Sequence, residues 1–182
     1  MSDELRIEAT MPDMDLGDAE SQRPPSEGWH PAVLVEVFTA YTKDDMDLPE
    51  ANRRRNYVLK PRLADDDPEM PNYKMLGYIY IPVPSPVEQD YNVKYKAATK
   101  ESRLQMMQES PELHAADGRT KCAQKIAYIK KAAAVFGGKE TGKFDKNFFV
   151  KKIGERFMVD LKHDISQGDL QARVKFMGIR PA

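Results

Sequence analysis

A single cysteine, Cys122, denies this chain an internal disulfide, as suits a reducing compartment. Long apolar runs are also missing: none approaches the roughly 18 residues that would suggest a membrane-spanning helix. The first residues are acidic where a secretory signal is basic and then apolar. A cytoplasmic protein with no membrane partner is expected. Histidine is scarce as well, and His30, His114 and His163 fall in different stretches without the HExxH or Cys and His spacing of zinc sites. Three adjacent carboxylates, Asp65 to Asp67, lack the spacing of a calcium loop and read as a solvated turn. No Ser, His and Asp arrangement is identifiable. No metal, no cofactor and no catalytic step are expected.

Net charge is nearly absent too, at −1, but it conceals a division. Residues 119–182 carry 15 Lys or Arg against 6 Asp or Glu, so the excess of acid lies in residues 1–118. Such asymmetry suggests a polyanion-binding half beside an acidic arm, with solvated surface as the alternative. The arm is residues 1–28, which hold 8 acidic residues, 2 basic ones and little apolar periodicity. Too little of it is apolar to offset the entropy of ordering, so a flexible acidic arm is expected, followed by one domain over 29–182.

Strand patterns dominate that domain. "HPAVLVEVFTAYT" alternates with Val33, Val35 and Val37 on one face and Leu34, Glu36 and Phe38 on the other. "RRRNYVLKPRL" gives a second strand, which Pro61 pushes toward a sheet edge or its own end. "KMLGYIYIPV" gives a third, with Tyr78 and Tyr80 opposite Ile79 and Ile81. Residues 84–117 have no strand period and read as an insertion, helical only over about Ala97 to Glu109. From Arg119 to Phe136, Cys122, Ile126, Ile129, Ala133 and Phe136 recur at helical spacing, with Asp117 as the expected N-cap and Gly137 and Gly138 as the stop. Two further strands close the chain across the turn "DISQGD". There Phe157, Val159, Leu161, Val174 and Phe176 are expected to fill the core, leaving Lys162, Arg173 and Lys175 on the polar face.

Three strands, a helix and two strands is the order of the oligonucleotide-binding (OB) fold, a mainly β (α+β), five-stranded Greek-key barrel with the helix between strands three and four. At the level of motifs, "SEGWHPAVLVEV", "KIAYIKKAAAVFGG", "KKIGERFMVDLKHD" and "VKFMGIRP" together resemble a family of phage single-stranded-DNA-binding proteins of this fold, often encoded among replication and recombination genes. The resemblance runs from Ser26 to Ala182 and is interrupted at Pro84 to Asp117. It implies a protein that coats single-stranded DNA, with replication or recombination proteins as further partners and the host cytoplasm as its location. The acidic segment departs from the pattern, since many such proteins carry theirs at the C-terminus. Oligomeric state, a homo-oligomer included, stays open.

Single-strand binding needs cations for phosphates and exposed rings on which bases stack, each stacked base contributing roughly 1–3 kcal/mol. On the barrel face expected to bind, strand two supplies Arg53, Arg54, Arg55, Tyr57, Lys60 and Arg62, and strand three and its approach supply Tyr73, Lys74, Tyr78 and Tyr80. The alternative for each tyrosine is a place in the core. Lys162, Arg173 and Lys175 border the path, with a merely solvated hairpin face as their alternative. "GGKETGK", residues 137–143, matches a phosphate-binding loop up to Phe144, but it ends a helix instead of opening one. It reads as a basic loop whose Lys139 and Lys143 reach DNA phosphates. Two other functions fit the same sequence: a protein-interaction module of this fold acting through its acidic arm or insertion, and, less well, a nuclease.

Overall fold

One long strand organises the molecule. β1 (Gly28–Tyr41) pairs through its first half with β4 (Arg156–Ser166) and through its second with β2 (Arg55–Leu63). β3 (Ile79–Val83) adds to the free side of β2, and β5 (Asp169–Pro181) to that of β4. The order is β3-β2-β1-β4-β5, antiparallel throughout. The sheet curls into a half-barrel, and its two edge strands, β3 and β5, approach each other. These elements belong to a computed structural model that describes residues 23–139, 141–166 and 168–182. Of the expected arm, residues 1–22 lie outside the described residues. Its last six belong to the body instead: Pro25 is fully buried, and Ser26 binds Glu69 through its backbone N–H and hydroxyl.

Sequence periodicity assigns β1 correctly but not its faces. Ala32 and Leu34 are buried, then a bulge between Leu34 and Glu36 shifts the register by one residue. An extra residue reverses every later side chain, so Val37 turns toward the core and Phe38 outward, while Val35 is left exposed. Val33, Val35 and Val37 therefore do not share a face. The same bulge explains Pro61, which stands in the interior strand β2 and not at an edge. It faces Leu34 beside the bulge, beyond Leu59 where pairing with β3 ends, so the missing N–H falls where the ladder is already broken.

Among the described residues three α-helices accompany the sheet: α1 (Pro86–Ala97), α2 (Lys100–Glu109) and α3 (Lys121–Val135). The N-cap of α3 is Thr120, whose hydroxyl accepts the Ala123 N–H; Asp117 instead accepts from Arg119. Gly137 provides the left-handed stop at φ +75°, and a Cβ on Gly138 would stand 2.8 Å from Ala133 and 2.9 Å from the Phe148 ring. α3 packs against both edge strands, burying Ile129, Ala132, Ala133 and Val135, while Ile126 falls at the exposed margin of the stripe. Its N-terminal end carries α1 through a Lys125–Glu88 ion pair of 2.8 Å and a hydrogen bond of 2.7 Å from the Thr120 N-cap to Asn92. The core beneath the sheet joins Leu59, Ile79, Ile81, Phe157, Val159 and Leu161 to Phe136 and Phe149. Fully burying each aliphatic or aromatic side chain contributes roughly 1.5–3 kcal/mol.

Candidate nucleic-acid interface

Burial of Ile79 and Ile81 fixes the neighbouring tyrosines. Side chains alternate across a strand, so Tyr78 and Tyr80 point outward, 45% and 51% exposed. Tyr80 lies opposite Val58 in β2, which lies opposite Phe38 in β1. Three rings thus surround a buried valine: Phe38 and Tyr78 meet edge to face at 5.8 Å, as do Tyr78 and Tyr80 at 6.4 Å. Lys60 extends the same face of β2 by two residues, opposite Glu36.

A second wall comes from the terminal hairpin. Between Lys175 and Gly178, β5 leaves its register with β4 and Met177 takes φ +54°. Met177 and Ile179 are buried as a result, and Phe176 is 62% exposed against Tyr128 instead of filling the core. Between β3 and β5 runs a cleft of about 420 Å³ lined by Tyr78, Tyr80, Lys162, Arg173, Lys175 and Phe176. Lys162 faces Arg173 across the ladder and has no side-chain partner among the described residues. Arg173 approaches Asp164 at 3.7 Å, and Lys175 pairs with Asp160 at 3.0 Å. The Arg173–Asp164 pair is solvent-exposed on both sides, of the kind worth little, while in the Lys175–Asp160 pair the lysine is exposed and the carboxylate largely shielded.

The other expected residues lie elsewhere. Arg53 donates to the Leu48 and Met46 carbonyls, Arg54 is bidentate to Asp45, and half-buried Arg55 donates to the Pro84 carbonyl. Asp45 is correspondingly held at about 2 by the side-chain and backbone hydrogen bonds of Arg54. Arg62 donates to Asp65 and Asn72. Tyr57 is a core residue, 8% exposed and edge-on to Phe149; burial pushes its phenol up. Half-buried Tyr73 packs on the core, its phenol likewise pushed up by burial, and with exposed Lys74 it belongs to the irregular run before β3. Lys139 and Lys143 line a separate pocket floored by Ile126, Ile129, Phe144 and Phe148.

Two rings that sequence reasoning left out, Phe38 and Phe176, complete the surface. Phe38 stands beyond the β1 bulge and Phe176 within the irregular stretch of β5, at which only Gly178 hints in the sequence: a Cβ there would come within 3.0 Å of the Lys175 carbonyl and 3.2 Å of the Asp160 Cβ. Asp65, Asp66 and Asp67 point to Arg62, Arg156 and His30 in turn. Among the described residues no group of three His, Cys, Asp or Glu side chains is placed to hold a metal ion, and no helix is long and apolar enough to cross a membrane. The sequence matches none of the protein-family models and none of the curated proteins with which it was compared. Chemically the surface offers π faces on which flat rings can stack and, beside them, the cations Lys162, Arg173 and Lys175 for anionic groups.

Proposed function

We propose that the chain is a single-stranded-DNA-binding protein of the OB type, coating DNA largely without sequence preference and without a catalytic step. The carrying observation is the exposed ring cluster Phe38, Tyr78 and Tyr80 beside a cleft that brings in Lys162, Arg173 and Lys175. Sheet order β3-β2-β1-β4-β5, with a helix between β3 and β4 that packs on both edge strands, supports the OB reading. Bases stack on the rings whatever their identity, and the cations displace counterions from the backbone. Resemblance to the phage family makes replication or recombination the setting, with proteins of those processes as partners.

Fluorescence anisotropy of labelled oligo-dT, measured beside duplex DNA of equal length at low salt, tests the reading. Oligo-dT binds more tightly than duplex, and Tyr78→Ala with Tyr80→Ala weakens it by about 1–3 kcal/mol per stacked base lost; because the rings cover buried Val58, the melting temperature is measured in parallel to separate lost stacking from lost packing. No binding of oligo-dT at low salt would sink it.

A further inference from the structure

Trp29 is the only tryptophan in the chain, and it is 41% exposed. It sits on β1 opposite Asp160 of β4, the carboxylate that holds Lys175. The Arg180 guanidinium lies over its ring, 4.2 Å from the centroid. Among the described residues Arg180 makes no ion pair, and neither the indole N–H nor the guanidinium has a hydrogen-bond partner. A large apolar ring left out of the core, capped by a cation with no acceptor, is stable in water but leaves five guanidinium donors available for an anion.

Position gives this pair its meaning. Neighbouring strands are about 4.8 Å apart, so Trp29, two strands from β5, lies roughly 10 Å beyond the Lys175 wall of the cleft. At about 3.4 Å per nucleotide of a stacked strand, roughly three nucleotides cover that distance. The row from Lys175 through Asp160 to Trp29 faces outward, because Val159 and Leu161, the neighbours of Asp160, are fully buried. From these observations we propose that Trp29 and Arg180 form a second base-stacking platform, and that a single strand leaving the β3–β5 cleft crosses β5 and β4 to reach it. One base adds to the indole–guanidinium stack while Arg180 and Lys175 hold the flanking phosphates. The inference rests on the single-strand reading above and extends its path to the opposite end of β1 from Phe38.

The lone tryptophan makes the test direct. The full chain is titrated with unlabelled oligo-dT at low salt while its tryptophan emission and acrylamide accessibility are followed, with anisotropy of labelled oligo-dT in parallel. Emission changes with the same midpoint as anisotropy, and acrylamide access falls. Trp29→Ala weakens binding about 5- to 150-fold, the range of one lost stacked base, whereas Trp29→Phe stays close to wild type. Arg180→Ala, on the exposed side of the pair, lowers affinity and reduces the salt slope by about 0.7. Saturating anisotropy with unchanged emission and unchanged acrylamide access would overturn the platform and leave the cleft intact. No anisotropy change would remove the single-strand reading, and the platform with it.

Discussion

Arg53, Arg54 and Arg55 stand together at the start of β2, look interchangeable, and do three different things. Arg53 closes the β1–β2 connection on carbonyls and lies over Tyr41 at 5.6 Å, Arg54 clamps Asp45, and Arg55 reaches the residue before the Ser85 cap. The Asp45 clamp has a pH signature. In the folded chain that carboxyl titrates at about 2, below the roughly 3.9 of an unfolded aspartate. A depressed carboxyl stabilises fully above its unfolded value and loses the contribution as pH falls through its folded one. Asp66 and Asp145 are lowered in the same direction by side-chain hydrogen bonds from Arg156 and Lys151, and Asp117 by the Arg119 backbone N–H. Equilibrium unfolding should therefore show stability declining from about pH 4 toward pH 2. Asp45→Asn should be less stable than wild type at neutral pH and decline less steeply; parallel curves would remove Asp45 from the acid response.

Among the elements, the insertion was the most misleading stretch. Ser85 accepts the Glu88 N–H while Glu88 accepts the Ser85 N–H, and Pro86 opens the first turn, so α1 begins with a full capping box that its weak apolar stripe obscures. Its start signal is "SPVE", which apolar periodicity does not register, so α1 stands where the periodicity predicts helix only from about Ala97 to Glu109. Glu88 has a second task. Burial pushes its carboxyl up, but hydrogen bonds from Lys125 and the Ser85 backbone bring it below the usual range. Both partners are largely shielded, with side chains 12% and 8% exposed. Removing one partner of such a pair strands a buried charge, so Lys125→Met should cost about 3–5 kcal/mol in chemical denaturation, and adding Glu88→Gln should restore much of it. Full stability in Lys125→Met would mean that α1 is held by packing alone.

β3 and the β4–β5 hairpin were legible because alternation over a few residues needs only local pattern, and that pattern already set Tyr78 and Tyr80 against Ile79 and Ile81. Facing beyond a bulge was not legible. Phe38 and Phe176 follow the alternation of their neighbours in sequence, and it is the register with another strand that reveals where the ladder is interrupted. The partners of the β2 arginines were illegible for a related reason, since a cation's partner is a tertiary fact: Arg54 finds Asp45 and Arg62 finds Asn72 through the fold.

At the scale of the whole molecule, a net charge of −1 says little about binding, because the field at the cleft depends on which cations are held. Lys60 and Lys162 have no side-chain partner among the described residues, whereas Arg53, Arg54 and Arg62 are committed to the loops around β2. Single-strand binding weakens with salt at a slope of about −0.7 per phosphate neutralised, so the proposed function, with three to five contacts from Lys60, Lys162, Arg173, Lys175 and Arg180, predicts a slope of about −2 to −3.5. Lys60→Ala with Lys162→Ala should make that slope shallower by about 1.4, while Arg53→Ala should leave it near wild type. Anisotropy titrations at a series of salt concentrations measure both. Were Arg53→Ala to flatten the slope and the double lysine variant to leave it unchanged, the phosphates would run along the β1–β2 connection and the cleft would lose its role.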